Sequence, residues 1–135
     1  MLFRSEAAGD DGLGTSPLDS GTPGTAISGT GWPDWTDQEQ LIARIAFEAA
    51  QERALRSLIS EVQLRSALID GAESLWQLHD YLSTQRHRLE GRFDFRHQAI
   101  LFLFASLVKD DLLAMSELQG LADGKLAKIR AMAQF

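Results

Sequence analysis

From Thr36 to Ile69 the chain reads as one uninterrupted helical pattern, with neither Pro nor Gly and with Ala, Leu, Glu, Gln and Arg throughout. Apolar residues recur as Leu41, Ile42, Ile45, Ala46 and Ala49, then as Leu55, Leu58, Ile59, Val62 and Ile69; Glu48 and Glu52 interrupt the stripe between the two groups. Thr36-Asp37-Gln38-Glu39 has the spacing of a capping box, in which the Thr36 hydroxyl accepts from the Glu39 amide and Glu39 reaches back. Trp35 stands just ahead, placed to staple onto Gln40 or Leu41. Such a helix would be about 50 Å long, more than the ~35 Å diameter of a domain of this size. It cannot pack on its own chain throughout, and the near-heptad second group predicts a partner helix, most simply in a homodimer.

Asp70-Gly71-Ala72-Glu73 separates this helix from the next. Gly71 suits a left-handed residue after a helix C-terminus, and Asp70 and Glu73 have capping-box spacing. So short a connection predicts a helical hairpin or a sharp kink. The second helix runs from Ser74 to about Arg92 and, at about 100° per residue, has two faces. Leu75, Leu78, Tyr81, Leu82 and Leu89 form an ordinary core stripe. Trp76, His79, Asp80, Ser83, Arg86, His87 and Glu90 form the other, a polar face with one large indole that calls for cover.

Gly91 and Asp94 mark the next break, with Asp94 as the expected N-cap of a helix over Phe95 to about Lys109. Ala99–Ala105 is apolar all round. With only ~100 residues in the foldable part, either its own neighbours bury every side of this helix or one side is a partner surface. Ser116-Glu117-Leu118-Gln119 is another capping box, predicting a last helix to about Met132, weakened by Gly120 and Gly124. Lys125, Lys128 and Arg130 make its end basic, in keeping with the helix dipole. The expected fold is all-α: a long N-terminal helix, a second helix forming a dimer seam, and a two-helix head, with residues 36–92 as stem and 93–135 as head.

Composition separates residues 1–35 from the rest. All three prolines and seven of the eleven glycines lie there, and its charges sum to −4 of the chain's −6. Such a segment buries too little apolar surface to offset its ordering entropy, and is expected to be a disordered linker-like tail. The acidic balance, with pI near 4.9, excludes a general nucleic-acid binder. The absence of Cys removes disulfides and thiolate metal sites. The apolar run Ala99–Val108 is too short to span a bilayer and no secretory signal is evident, so a cytoplasmic protein is expected.

Catalytic chemistry finds little footing. His79 and Asp80 are adjacent on a helix and diverge by about 100°. His79 and His87 stand about 12 Å apart along the axis, too far to share a metal ion, and no nucleophile elbow or phosphate loop is present. Neither an enzyme nor a cofactor is expected. Asp80 and Arg86 lie about 9 Å apart axially and pair poorly within one helix. If two copies cross antiparallel near Ser83, Asp80 of each meets Arg86 of the other, with Trp76 covering the flank. The alternative is a solvated polar face with one stray Trp.

The residues Leu75-Trp76, Leu78-His79-Asp80-Tyr81-Leu82-Ser83, Arg86-His87 and Gly91-Arg92-Phe93-Asp94 carry a resemblance to the fluorescence recovery proteins of cyanobacteria, extending over about residues 36–135. The resemblance implies a regulator that binds the photoactivated orange carotenoid protein, mainly its C-terminal domain. It would speed return to the resting orange form and detachment from the phycobilisome, in the cytoplasm near the thylakoid surface. It also implies that Trp76, His79, Asp80 and Arg86 form the signature patch at or beside the dimer interface, and that Phe102 and Lys128 lie in the partner-binding head. The carotenoid would belong to the partner. A helical homodimeric scaffold of the same family acting on a different protein is the other reading.

Overall fold

Residues 31–135 are described in a computed structural model of the chain, which divides into two units, Met1–Asp37 and Gln38–Phe135. In the first, the Trp35 amide donates to the Trp32 carbonyl (3.1 Å) and the two indoles meet edge to face, 5.3 Å between centroids. The rest of the expected tail, residues 1–30, lies outside the described residues.

The second unit is all-helical: α1 (Asp37–Ser66), α2 (Ala72–Arg92), α3 (Ile100–Lys109), a 3₁₀ turn (Met115–Leu118) and α4 (Asp123–Met132). At 30 residues, α1 is about 45 Å long. It closes through a tightened turn in which Leu68 and Ile69 donate to the carbonyls of Arg65 and Ser66. Gly71 is not left-handed as expected but fully extended, with φ 176°. Ser74 sets this corner: its Oγ accepts from the Asp70 amide (3.0 Å) and lies within hydrogen-bond distance of Asp70 Oδ1 and the Gly71 carbonyl. Glu73 turns to Gln77 along α2 (3.3 Å).

The third helix starts later than its sequence suggests. Asp94 does not cap it; its carboxylate takes Arg96 Nε at 2.7 Å in a turn that leads to Ile100. Aromatic packing is the physical reason. Phe93 and Phe95 both set their edges against Phe47 of α1, at 5.7 and 5.0 Å, and the Arg44 guanidinium covers the Phe95 ring at 4.2 Å. Two residues separated by one cannot both reach a single ring from a regular helix, whose neighbours lie three and four apart.

The last helix is also shorter. Its expected capping box at Ser116 instead closes a 3₁₀ turn, with Glu117 Oε2 accepting from the Ala114 amide (2.9 Å). Gly120 then breaks the chain with φ 111°, where a side chain would collide with Ile42. When α4 begins at Asp123, its N-terminus is met from far along the chain. Glu39 Oε2 accepts from the Ala122 amide at 2.7 Å, and the same carboxylate holds Lys125 Nζ at 3.0 Å. A carboxylate on a helix N-terminus complements its partial positive charge. Lys125 is therefore an internal strut and not part of a solvated basic end.

The core joins the first half of α1 to the head. Ala43, Ala46, Phe47 and Ala50 are buried together with Phe93, Ile100, Leu103, Phe104, Ala105, Leu107, Leu113, Leu118, Leu121 and Ile129. The core-facing stripe of α1 is thus mostly alanine, while Leu41 and Ile45 from the expected apolar stripe face outward. Glu39 lies on the same helix end and reaches the N-terminus of α4.

Candidate interaction surfaces

The hairpin arm α2 differs from every other α-helix of the described chain in burying none of its residues. Leu78, Tyr81, Gln85 and Leu89 are half-buried along the side that meets α1, where the Arg65 guanidinium stacks on the Tyr81 ring at 3.7 Å. The expected core stripe is only partly used: Leu75 and Leu82 remain 44% and 42% exposed. On α1, Ile59 and Leu64 are also exposed, as is Leu68 after its C-terminus.

The opposite side of α2 presents the signature residues. Trp76 is 60% exposed and lies edge-on to His79, 6.1 Å between ring centroids. His79 Nδ1 and Asp80 Oδ1 come within 3.2 Å. The expectation that adjacent side chains diverge is corrected here: the Cα–Cβ bonds do diverge, and rotation about the side-chain torsions brings the two tips back together. The pair stands in open solvent with most of both side chains exposed, so no enclosed site lowers the dielectric around it or positions a substrate. Ser83 is exposed, and Arg86 Nε donates to Glu90 Oε2 one turn on, at 3.0 Å. Among the described residues no group of three or more His, Asp or Glu side chains could hold a metal ion.

In the head, Phe102 is 69% exposed on a helix whose Ile100, Leu103, Phe104, Ala105 and Leu107 are buried. The all-apolar run is therefore core on one side and open on the other. α4 packs against α3, with Lys128 and Arg130 exposed. No helix among the described residues is long and apolar enough to cross a membrane.

Three struts fix the head that carries Phe102. One is Glu39 with Lys125 and Ala122. In the second, the Arg53 fork grips both Glu117 oxygens at 2.7 and 2.8 Å and also reaches the Leu112 carbonyl at 2.9 Å. The hydrogen bonds from Arg53 hold the Glu117 carboxyl below the usual carboxylate range, helped by the Ala114 amide, and the same pairing raises Arg53. Arg92 makes the third, to Ser106 and to Asp110 Oδ2 at 2.7 Å. None of the three was legible in local spacing, since each joins residues 14 or more positions apart. A cleft of about 380 Å³ opens beside Arg92, between Leu58 and Glu61 of α1 and Tyr81 and Leu89 of α2. The signature residues do not line it.

Comparison with known proteins supplies an identity for the whole helical unit. A family profile described as the photoprotection regulator fluorescence recovery protein matches residues 35–133. The fluorescence recovery protein of Synechocystis sp. (strain ATCC 27184 / PCC 6803 / Kazusa) is 39% identical over 100 residues, 74% of this chain and 92% of the relative. The solved structure of the Fremyella diplosiphon fluorescence recovery protein superposes with a TM-score of 0.71 at 37% identity, covering 76% of this chain and 100% of its own. That of the Synechocystis sp. PCC 6803 protein gives 0.71 at 39% identity, covering 75% and 99%.

Proposed function

The chain belongs to the fluorescence recovery protein family of photoprotection regulators, and from that membership we propose that it acts on the orange carotenoid protein. It binds the photoactivated form, chiefly at the C-terminal domain, speeds return to the resting orange form and promotes release from the phycobilisome. The observation that carries this reading is Phe102, a large apolar side chain left in solvent on the most apolar of the described helices. A monomeric head gains nothing from that exposure, whereas a partner surface does. Lys128, exposed on the neighbouring helix, adds a charge that favours an acidic rim on the partner. No bond is made or broken. The chain acts by binding a compact form of its partner better than the open one. It works in the cytoplasm, at the thylakoid surface where phycobilisomes lie.

The test mixes purified chain with photoactivated orange carotenoid protein and follows red-to-orange decay in darkness. Acceleration is expected, and Phe102→Asp should abolish most of it with the helical content unchanged. Decay no faster with the chain than without it overturns the reading and points to a different protein partner for the same scaffold.

The active assembly is a homodimer seamed by the hairpin. A 21-residue helix with no buried residue draws little stability from its own chain, and helical segments in water need tertiary cover. A second copy crossing antiparallel near Ser83 supplies it. Trp76 covers the flank, and Asp80 of one copy meets Arg86 of the other. Arg86 can keep Glu90 and still donate, because a guanidinium has five N–H groups. Arg86→Glu should weaken the dimer at least about tenfold, as befits loss of a charge-assisted pair plus new repulsion. Asp80→Arg combined with Arg86→Asp should restore it. Light scattering that shows the same dimer in all three chains sinks this seam.

A further inference from the structure

Arg92 ends α2, and its neighbour Phe93 enters the core. Its Nη2 donates to the Ser106 carbonyl at 3.2 Å, to Ser106 Oγ, and to Asp110 Oδ2 at 2.7 Å. Ser106 lies in the last turn of α3 and Asp110 is its C-cap. The guanidinium thus sits on the carbonyl end of α3, where the helix dipole is negative and acceptors are in surplus. The Arg92 side chain is 30% exposed, so water screens the contact only in part.

Two further features give this contact a role beyond bracing. Phe102 stands one turn before Ser106 on the same face of α3. And α2 is held to α1 only by half-buried contacts: none of its side chains is fully buried, Leu78, Tyr81, Gln85 and Leu89 are half-covered, with Arg65 stacked on Tyr81, and a cleft of about 380 Å³ separates the two helices beside Arg92. An element so loosely held is drawn from the low-stability end of a structure and can occupy more than one pose. A coupling between two sites needs such a two-pose element, biased from both ends.

We propose that Arg92 is a positioning residue that couples α2 to the C-terminal end of α3, so that covering the outer face of α2 tightens the helix that presents Phe102. Cover on α2 favours its docked pose. The docked pose seats Arg92 on Ser106 and Asp110, and the seated guanidinium holds the last turn of α3. This rests on the reading of α2 as the seam and of Phe102 as the contact in the head. The Gly91-Arg92-Phe93-Asp94 motif thereby acquires a division of labour: Phe93 anchors the junction and Arg92 reports the state of the hairpin.

Hydrogen exchange tests this on the full-length chain, at concentrations above and below the self-association midpoint fixed by sedimentation. The unmodified chain should exchange amides of residues 106–112 about tenfold more slowly when assembled, the scale expected for closing one part-exposed charged contact. Arg92→Gln, which removes the guanidinium, should abolish that concentration dependence, and Asp110→Ala, which leaves only the Ser106 acceptors, should weaken it, while residues 43–50 keep their protection. If either variant retains the full dependence, the coupling is wrong. If protection at 43–50 falls as well, Arg92 is only a stabilising strut and the coupling is again wrong. A chain that never associates sinks the seam reading and the coupling with it; a normal dimer with unaltered exchange in the variants sinks the coupling alone.

Discussion

Between Asp37 and Ala50, α1 buries Ala43, Ala46, Phe47 and Ala50 and a carboxylate besides; between Gln51 and Ser66 it buries nothing. The two halves belong to one continuous helix, but four alanines lie in the first and one in the second, and they serve different ends. The first half joins the core within the chain: its alanines are buried, and Phe47 receives two aromatic edges. The second half, with α2 beside it, keeps Ile59, Leu64, Leu75, Trp76 and Leu82 in solvent. What separates the regions is therefore what is turned inward: the first half buries Ala43, Ala46, Phe47 and Ala50 and the second buries no residue. Both leave large residues outward, Leu41 and Ile45 in the first and Ile59 and Leu64 in the second. A regulator that works by contact needs both, a head rigid enough to present Phe102 and a surface still awaiting cover.

Truncation of a large side chain in each region breaks or sharpens this contrast most strongly. Phe104 is fully buried, and Phe104→Ala should cost about 3–5 kcal/mol by loss of transfer free energy plus a cavity. Leu82→Ala, at a half-exposed site, should cost less than about 1 kcal/mol in dilute protein. Urea unfolding measures both. On the proposed dimer, Trp76→Ala, which uncovers the flank of the seam, should cost more as protein concentration rises, because anything that binds only the folded chain adds to its stability. Equal costs of Phe104→Ala and Leu82→Ala at high dilution would show that α2 is held by its own chain after all.

Next in size is Glu39. Its carboxylate and Lys125 retain only 8% and 15% side-chain exposure. Glu39→Leu removes the acceptor from the Ala122 amide and the counter-charge from a largely buried ammonium, and should cost about 3 kcal/mol. Because α4 carries Lys128, the same change should weaken partner binding, while leaving self-association through α2 alone. A variant that loses both together would mean that the head and the hairpin are one energetic unit.

How far these features were legible in the sequence follows from how far each depends on distance along the chain. The two arms of the hairpin, the break at Gly91–Asp94 and the outward Trp76 could be read from local spacing, because caps and faces are local properties. The inward face of α1 could not. Periodicity marks Leu41 and Ile45 as apolar, but it cannot tell which of two faces a neighbour will cover. Of the expected stripe Ala46 is buried, and Ala43, Phe47 and Ala50 complete the inward face. α3 starts later than local spacing predicts, because Asp94 is a good cap only in isolation and the packing of Phe93 and Phe95 on Phe47 lies outside any local window. Glu39 is legible as a capping residue of α1; that its carboxylate also takes the N-terminal amide of α4, 83 residues away, is not.

The smallest expected effect separates the regions by pH. Arg53 joins α1 to Glu117 just past its last buried residue, so this pair marks the boundary between the two halves. The Glu117 carboxyl titrates below its ordinary value because Arg53 and the Ala114 amide favour its charged form. A group whose folded pKa is lowered contributes stability above its unfolded pKa, about 4.3 for Glu, and loses it as pH falls through the lowered folded value. The unmodified chain should therefore exceed Glu117→Gln in urea midpoint at pH 7, with the gap closing as the pH drops below about 4. The effect is modest, since Arg53 remains 46% exposed and water screens the pair. Comparison with the Gln variant isolates it from every other carboxylate that titrates in the same range. If the gap persists unchanged at pH 3, the pair does not bind the 3₁₀ turn to α1 through charge. Packing of Leu113 and Leu118 would then hold the head in place at that boundary.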